Sequence, residues 1–231
     1  MNKNSWLLMP LSIALLFNCG PAKTSDNAET NGADSVEATK GAGLAAVEDI
    51  PKESEWVSLF NGRDLDGWTV RGKAKWYVEN GVLVGEGGMG HIYVGPELSD
   101  LEIKGKFRLS DQGGGSNSGL YFRAGEPADN PDGFPKGYEA QICHNQNAHT
   151  GWLWKPGKPT GEPTALLTKD DEWFSYRIKA VGNKIEFWVN DQQVLTYEDD
   201  EYASGRFALQ GHNEGMKIEA RELYYRDLGR R

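Results

Sequence analysis

Residues 175–197 read "SYRIKAVGNKIEFWVNDQQVLTY". Apolar and polar side chains alternate through this stretch, with short polar breaks around Gly182-Asn183 and Asn190-Asp191. Successive side chains of a strand point to opposite faces, so the stretch predicts a β-meander with two tight turns. Within it Ile185, Phe187 and Val189 share an apolar face. Glu186, Trp188 and Asn190 share the other.

The same pattern recurs on both sides. "WVSLF", "WYVENGVLVGE", "HIYVG", "LEIKGKFRLS", "GLYFRA", "YEAQICH", "RFALQG" and "KIEARELYYRD" are short alternating or apolar runs between Gly, Asn, Asp and Pro. "VENGVLV" places Asn-Gly between two runs, the strongest short signal of a hairpin. The chain holds 29 Gly, 8 Trp, 9 Tyr and 8 Phe, which favours a turn-rich β fold. No long helix and no fixed-period repeat is legible, which argues against a propeller. The pattern alone predicts one all-β domain, a sandwich or a barrel.

Charge narrows the function. A net charge of −9 and a pI near 5.0 argue against nucleic acid, which calls for a clustered basic surface. The two cysteines, Cys19 and Cys143, cannot supply a disulfide framework or a cysteine zinc site. Residues 1–19 carry Lys3, a short apolar run from Trp6 to Phe17, and Cys19 at their end. That run is too short to span a bilayer and suits an export signal. It resembles a bacterial lipoprotein signal, with Cys19 lipidated and the chain tethered to a membrane; the alternative is an ordinary signal peptide cleaved elsewhere. Residues 20–54 lack aromatics and bury little, so they read as a disordered linker to a domain over 55–231. The expected location is periplasmic or cell-surface.

Four strands divide alike. Leu120 and Phe122 oppose Tyr121 and Arg123; Ala140 and Ile142 oppose Glu139 and Gln141. Phe207 and Leu209 oppose Gln210 and His212; the meander's middle strand adds Trp188 and Asn190 to the polar side. Flat rings beside amide, carboxyl and guanidinium groups suit a sugar, with its apolar ring faces and equator of hydroxyls. Gathered on a curved sheet, these residues would converge in a groove.

"LFNGRDLDGW", "NSGLYFR", "GYEAQI", "WFSYRIKAVGNKIEFWVND" and "FALQGH" together resemble the 3-keto-disaccharide hydrolase family, whose members are described as 3-keto-glucoside 1,2-lyases and 3-keto-2-hydroxyglucal hydratases. The resemblance runs from Trp56 to Leu228. It implies a concanavalin A-like jelly-roll sandwich of two antiparallel sheets with one concave face. It also implies a substrate already oxidised at C3 by a separate dehydrogenase. A base then takes the C2 proton, the C1 group leaves, and water adds back.

Under that resemblance Glu139 is a candidate base or a ligand for a divalent cation, and no nucleotide cofactor is expected. His212 and His144 are the other candidate bases, because histidine titrates nearest neutrality. Arg123 would stabilise the enediolate; the alternative is a structural ion pair with Glu139. Gln141, Gln210 and Asn190 would hold hydroxyls, with Tyr121, Trp188, Trp154 and His149 beside the ring. Two other functions stay open: a lectin-like binding module on the same sandwich, and an ordinary glycoside hydrolase. The latter needs two carboxylates roughly 5–9.5 Å apart, and "GYEAQI" offers Gln where a second acid would stand.

Overall fold

The structure, a computed structural model, describes residues 55–130, 132–144 and 148–229. The expected signal, the lipidated Cys19 and the linker fall on residues 1–54 and lie outside the described residues. In chain order the strands are β1 (Val57–Ser58), β2 (Thr69–Gly72), β3 (Lys75–Glu79), β4 (Val82–Glu86) and β5 (Gly90–Leu98). There follow β6 (Leu101–Asp111), β7 (Asn117–Gly125), β8 (Lys136–Cys143), β9 (Leu153–Lys155) and β10 (Lys158–Gly161). The last five are β11 (Phe174–Val181), β12 (Lys184–Val189), β13 (Gln192–Glu198), β14 (Gly205–Gly211) and β15 (Met216–Asp227).

They form two antiparallel sheets. One runs β13-β12-β11-β6-β15-β4-β3, with β1 also on β15; the other runs β10-β9-β8-β7-β14-β5-β2. The opening meander is β11-β12-β13, as its alternation predicts. The β3–β4 hairpin turns on Asn80 and Gly81, both with positive φ (51° and 79°), the conformation an Asn-Gly turn supplies. Three short strands, β2, β9 and β10, were not legible. β2 and β10 are sheet edges, and β10 carries Pro159, which an edge tolerates.

The apolar faces meet between the sheets. Phe122 of β7 stacks on Tyr138 at 5.3 Å and meets Phe187 of β12 edge-on at 5.9 Å, linking the two sheets. Both phenylalanines are fully buried. Phe122→Ala is expected to cost about 3–5 kcal/mol of unfolding free energy, read from urea titration. A loss below about 1 kcal/mol would mean that this contact does not join the sheets.

Candidate active site

On the outer face of the seven-stranded sheet lies a cavity of about 300 Å³. Neighbouring strands β14, β7, β8 and β9 supply its floor. Cross-strand register sets Tyr121 opposite Glu139, and Glu139 opposite Trp154, so three side chains stand in one row. Gln210 of β14 reaches the same point: its amide nitrogen donates to the Tyr121 oxygen at 3.1 Å. Tyr121 in turn donates to the Glu139 carboxylate at 2.7 Å. Beside them Gln141 donates to Asn117 at 2.9 Å. Phe134, Pro156, Gly157 and His212 complete the walls.

Glu139 is 9% exposed. Burial raises its pKa to about 7, against the downward pull of the Tyr121 hydrogen bond. The same burial, with the Glu139 charge beside it, holds the Tyr121 phenol well above its ordinary range. The carboxylate has its place because Gly119 has no side chain. A Cβ there would stand 2.0 Å from Glu139 Oε1 and 2.7 Å from its Cγ and Cδ.

The structure therefore brings together Tyr121, Glu139, Gln141, Trp154, Gln210 and His212. It separates the rest. Arg123 does not share the cavity: φ is +48° there, and the β7–β8 register shifts between Phe122 and Gly125, which breaks the alternation. Its guanidinium is buried, bonding the carbonyls of Ser99 and Tyr202 and facing Asp100 at 3.6 Å rather than Glu139. Trp188 and Asn190 belong to the other sheet's side of the sandwich. Trp188 stacks on Arg177, while Asn190, in the turn after β12, bonds Ser175 and Leu167. His144 turns away at the end of β8, its Nδ1 3.0 Å from Asp170 and its ring against Phe174. His149 sits in the loop before β9, with Nδ1 3.0 Å from the Thr150 carbonyl, and does not line the cavity.

Asn117, His91 and Phe134 join the residues around Tyr121 and Glu139, and of the three only Asn117 carried an alternation signal. Asn117 shares parity with Tyr121 along β7. His91 is opposite Gln210 in the β5–β14 register, is fully buried, and meets the Tyr121 ring edge-on at 5.4 Å. Phe134 comes from the segment before β8 and carried no periodic signal. Burial lowers the His91 pKa to about 4, with the neighbouring His212 adding to the effect, so its imidazole is neutral at pH 7.

Glu139 and His91 oppose each other in acid. A buried carboxylate titrating near 7 binds more protons folded than unfolded, so stability falls as pH rises from about 4.5 to 7. A histidine titrating near 4 binds fewer protons folded, so stability falls as pH drops from about 6.5 to 4. Between about 4.5 and 6.5 the two slopes cancel. Across that window melting temperature should decline with acid more steeply in Glu139→Gln than in the wild type, because burial also lowers the His144 pKa, which adds to the His91 slope, and Glu139 opposes both. A parallel decline in both proteins would count against the buried carboxyl.

Among the described residues no three His, Cys, Asp or Glu side chains gather at one point. The cavity offers a divalent cation one carboxylate, one imidazole and amide oxygens. That set does not fit a resident divalent centre.

A sheet face floored by amides, a phenol and a carboxyl, and walled by flat rings, is the form of a carbohydrate site on a β-sandwich. The chain belongs to the 3-keto-alpha-glucoside-1,2-lyase-like domain family, which matches residues 55–228. On that membership it is a glycoside-acting enzyme. Solved structures share the fold. Two come from Parabacteroides distasonis ATCC 8503, each named as a candidate glycosyl hydrolase. One has a TM-score of 0.63 at 21% identity, covering 75% of this chain and 94% of its own. The other has 0.58 at 23%, covering 75% and 100%. The Bacillus subtilis carbohydrate-binding module CBM66 has 0.56 at 18%, covering 70% and 96%. At these identities the likeness shows the fold alone. No curated protein matches the chain.

Proposed function

We propose that the domain cleaves 3-keto-glycosides by elimination and rehydration, with Glu139 as the base. One observation carries the reading. Among the described residues the cavity is lined by a single carboxyl, buried and titrating near 7, with no second acid across from it. An ordinary glycoside hydrolase works with a pair. A C3 ketone changes the requirement: it acidifies the C2 hydrogen, and one base of near-neutral pKa suffices.

In this scheme the Glu139 carboxylate takes the C2 proton and the C1–O bond breaks. The aglycone departs as its alcohol, leaving a 2-hydroxyglucal enone. Glu139 exchanges that proton with solvent; water then adds its hydroxyl to C1, its remaining proton replaces the one His212 gave up, and Glu139 returns a solvent-derived proton to C2. Tyr121 holds Glu139 in place. The Gln210, Gln141 and Asn117 amides face the enediolate oxygen and hydroxyls, donors worth about 3 kcal/mol each by analogy with oxyanion holes. No arginine or lysine lines the cavity among the described residues, so this stabilisation comes from neutral donors. His212 is the proposed proton donor to the leaving group. An upstream C3 dehydrogenase, and export on a lipidated Cys19, complete the proposal.

The base must be ionised, so kcat/KM should rise through about pH 7 in free enzyme. The test is release of a chromogenic alcohol from a 3-keto-glucoside beside the unoxidised glucoside. Release from the keto substrate alone is the expected result. Release from the plain glucoside would point to an ordinary hydrolase. Binding of the keto substrate without release would move the chain to the lectin-like class.

A further inference from the structure

The outer face of the eight-stranded sheet carries its own groove, of about 240 Å³. One cross-strand row crosses it. Trp188 of β12 lies opposite Arg177 of β11, Arg177 opposite Lys104 of β6, and Lys104 opposite Tyr224 of β15. Strands stand about 4.8 Å apart, so three gaps make a row of about 14 Å. The Arg177 guanidinium lies 3.7 Å from the Trp188 ring centre, and Glu102 beneath fixes it at 2.7 Å. The Lys104 ammonium lies 3.9 Å from Trp56 and 5.9 Å from Tyr224. The order is ring, cation, cation, ring.

The surrounding charge is biased. Glu219 is shared by Arg108 at 2.7 Å and Lys217 at 3.5 Å. Glu222 is shared by Lys106 at 3.0 Å and Arg221 at 3.6 Å. Asp171 also acts on Arg108, so the first trio is balanced; the Glu222 trio retains one positive charge and Lys104 adds another, on a chain whose net charge is −9. Asp191 is the acid at the turn end of the groove. The exposed large apolar side chains (Val57, Val70, Phe134, Leu166 and Val181) lie outside the groove.

The geometry points to a second carbohydrate site: this groove takes an oligosaccharide bearing carboxylate or sulfate groups, held apart from the catalytic cavity on the opposite face. Aromatic planes offer the apolar ring contact, and the central cations meet the anions. The row is long enough for several sugar units rather than one. Such a site would keep the enzyme on an acidic polysaccharide while the other sheet turns over its substrate.

The test is calorimetric titration of the full chain with oligogalacturonate, with a heparin-derived oligosaccharide and with neutral galactan oligomers. Vesicles containing phosphatidylglycerol are assayed alongside. Binding to one or both acidic glycans, weakening as salt rises, is expected. The uronate and sulfate arms then say which anion the groove prefers. Lys104→Gln alone and Lys104→Gln with Trp188→Ala should weaken the acidic glycan stepwise, the pair by at least about tenfold. Neither replacement removes a partner of buried Glu102. Absence of acidic-glycan binding, equal binding of the neutral oligomer, unchanged affinity in both variants, or retention by vesicles alone would each overturn the assignment.

Discussion

Glu139→Gln should lower turnover of a 3-keto-glucoside by about 10²–10⁴ while leaving its binding nearly intact. Gln keeps the shape of the side chain and its place beside Tyr121, but it cannot accept the C2 proton. A residual rate near wild type would take the base away from Glu139. The same variant should be more stable than wild type at pH 8. Holding an ionised carboxylate whose pKa has risen from 4.5 to about 7 costs roughly 3 kcal/mol, and neutral Gln removes much of that cost. Lost activity with gained stability separates a catalytic role from a structural one. A merely structural glutamate would give the opposite sign in the melt.

Gly119→Ala should also lower turnover, by at least about a hundredfold, with Glu139 still present. The added methyl would stand 2.0 Å from Glu139 Oε1, inside any tolerable contact. Glu139 must swing away, since the backbone of β7 is fixed by β8 on one side and β14 on the other. The bond from Tyr121 is then lost, and the carboxyl leaves the row it shares with Trp154. Unaltered kcat in a folded Gly119→Ala protein would show that the position of this carboxyl does not govern the reaction. Glu139→Gln tests the group; Gly119→Ala tests its placement.

Alternation within strands was sufficient to find the floor of the cavity. Tyr121, Glu139, Gln141 and Gln210 lie on β7, β8 and β14, which are adjacent in one sheet, so local parity and the spatial face agree. It failed where the information is not local. The parity of β12 was right, yet that strand belongs to the other sheet, so Trp188 faces the opposite side of the sandwich from Glu139. Which sheet a strand joins depends on long-range pairing that alternation does not encode. Arg123 failed for a different reason: one residue with positive φ accompanies a register shift, and its side chain is buried against the Ser99 and Tyr202 carbonyls. His91 stands at the start of β5, and its closeness to Gln210 exists only through the β5–β14 pairing. Phe134 comes from a loop, where periodicity says nothing.

Elimination and simple hydrolysis differ in the fate of one hydrogen. The 3-keto-glucoside is turned over in D₂O, and the free 3-keto sugar is examined by NMR before unaided exchange at C2 sets in. Proton removal, departure of the aglycone and rehydration should leave deuterium at C2 of the product. Full retention of the original hydrogen at C2, with the glycosidic bond cleaved, would contradict the mechanism and return the enzyme to ordinary glycoside hydrolysis.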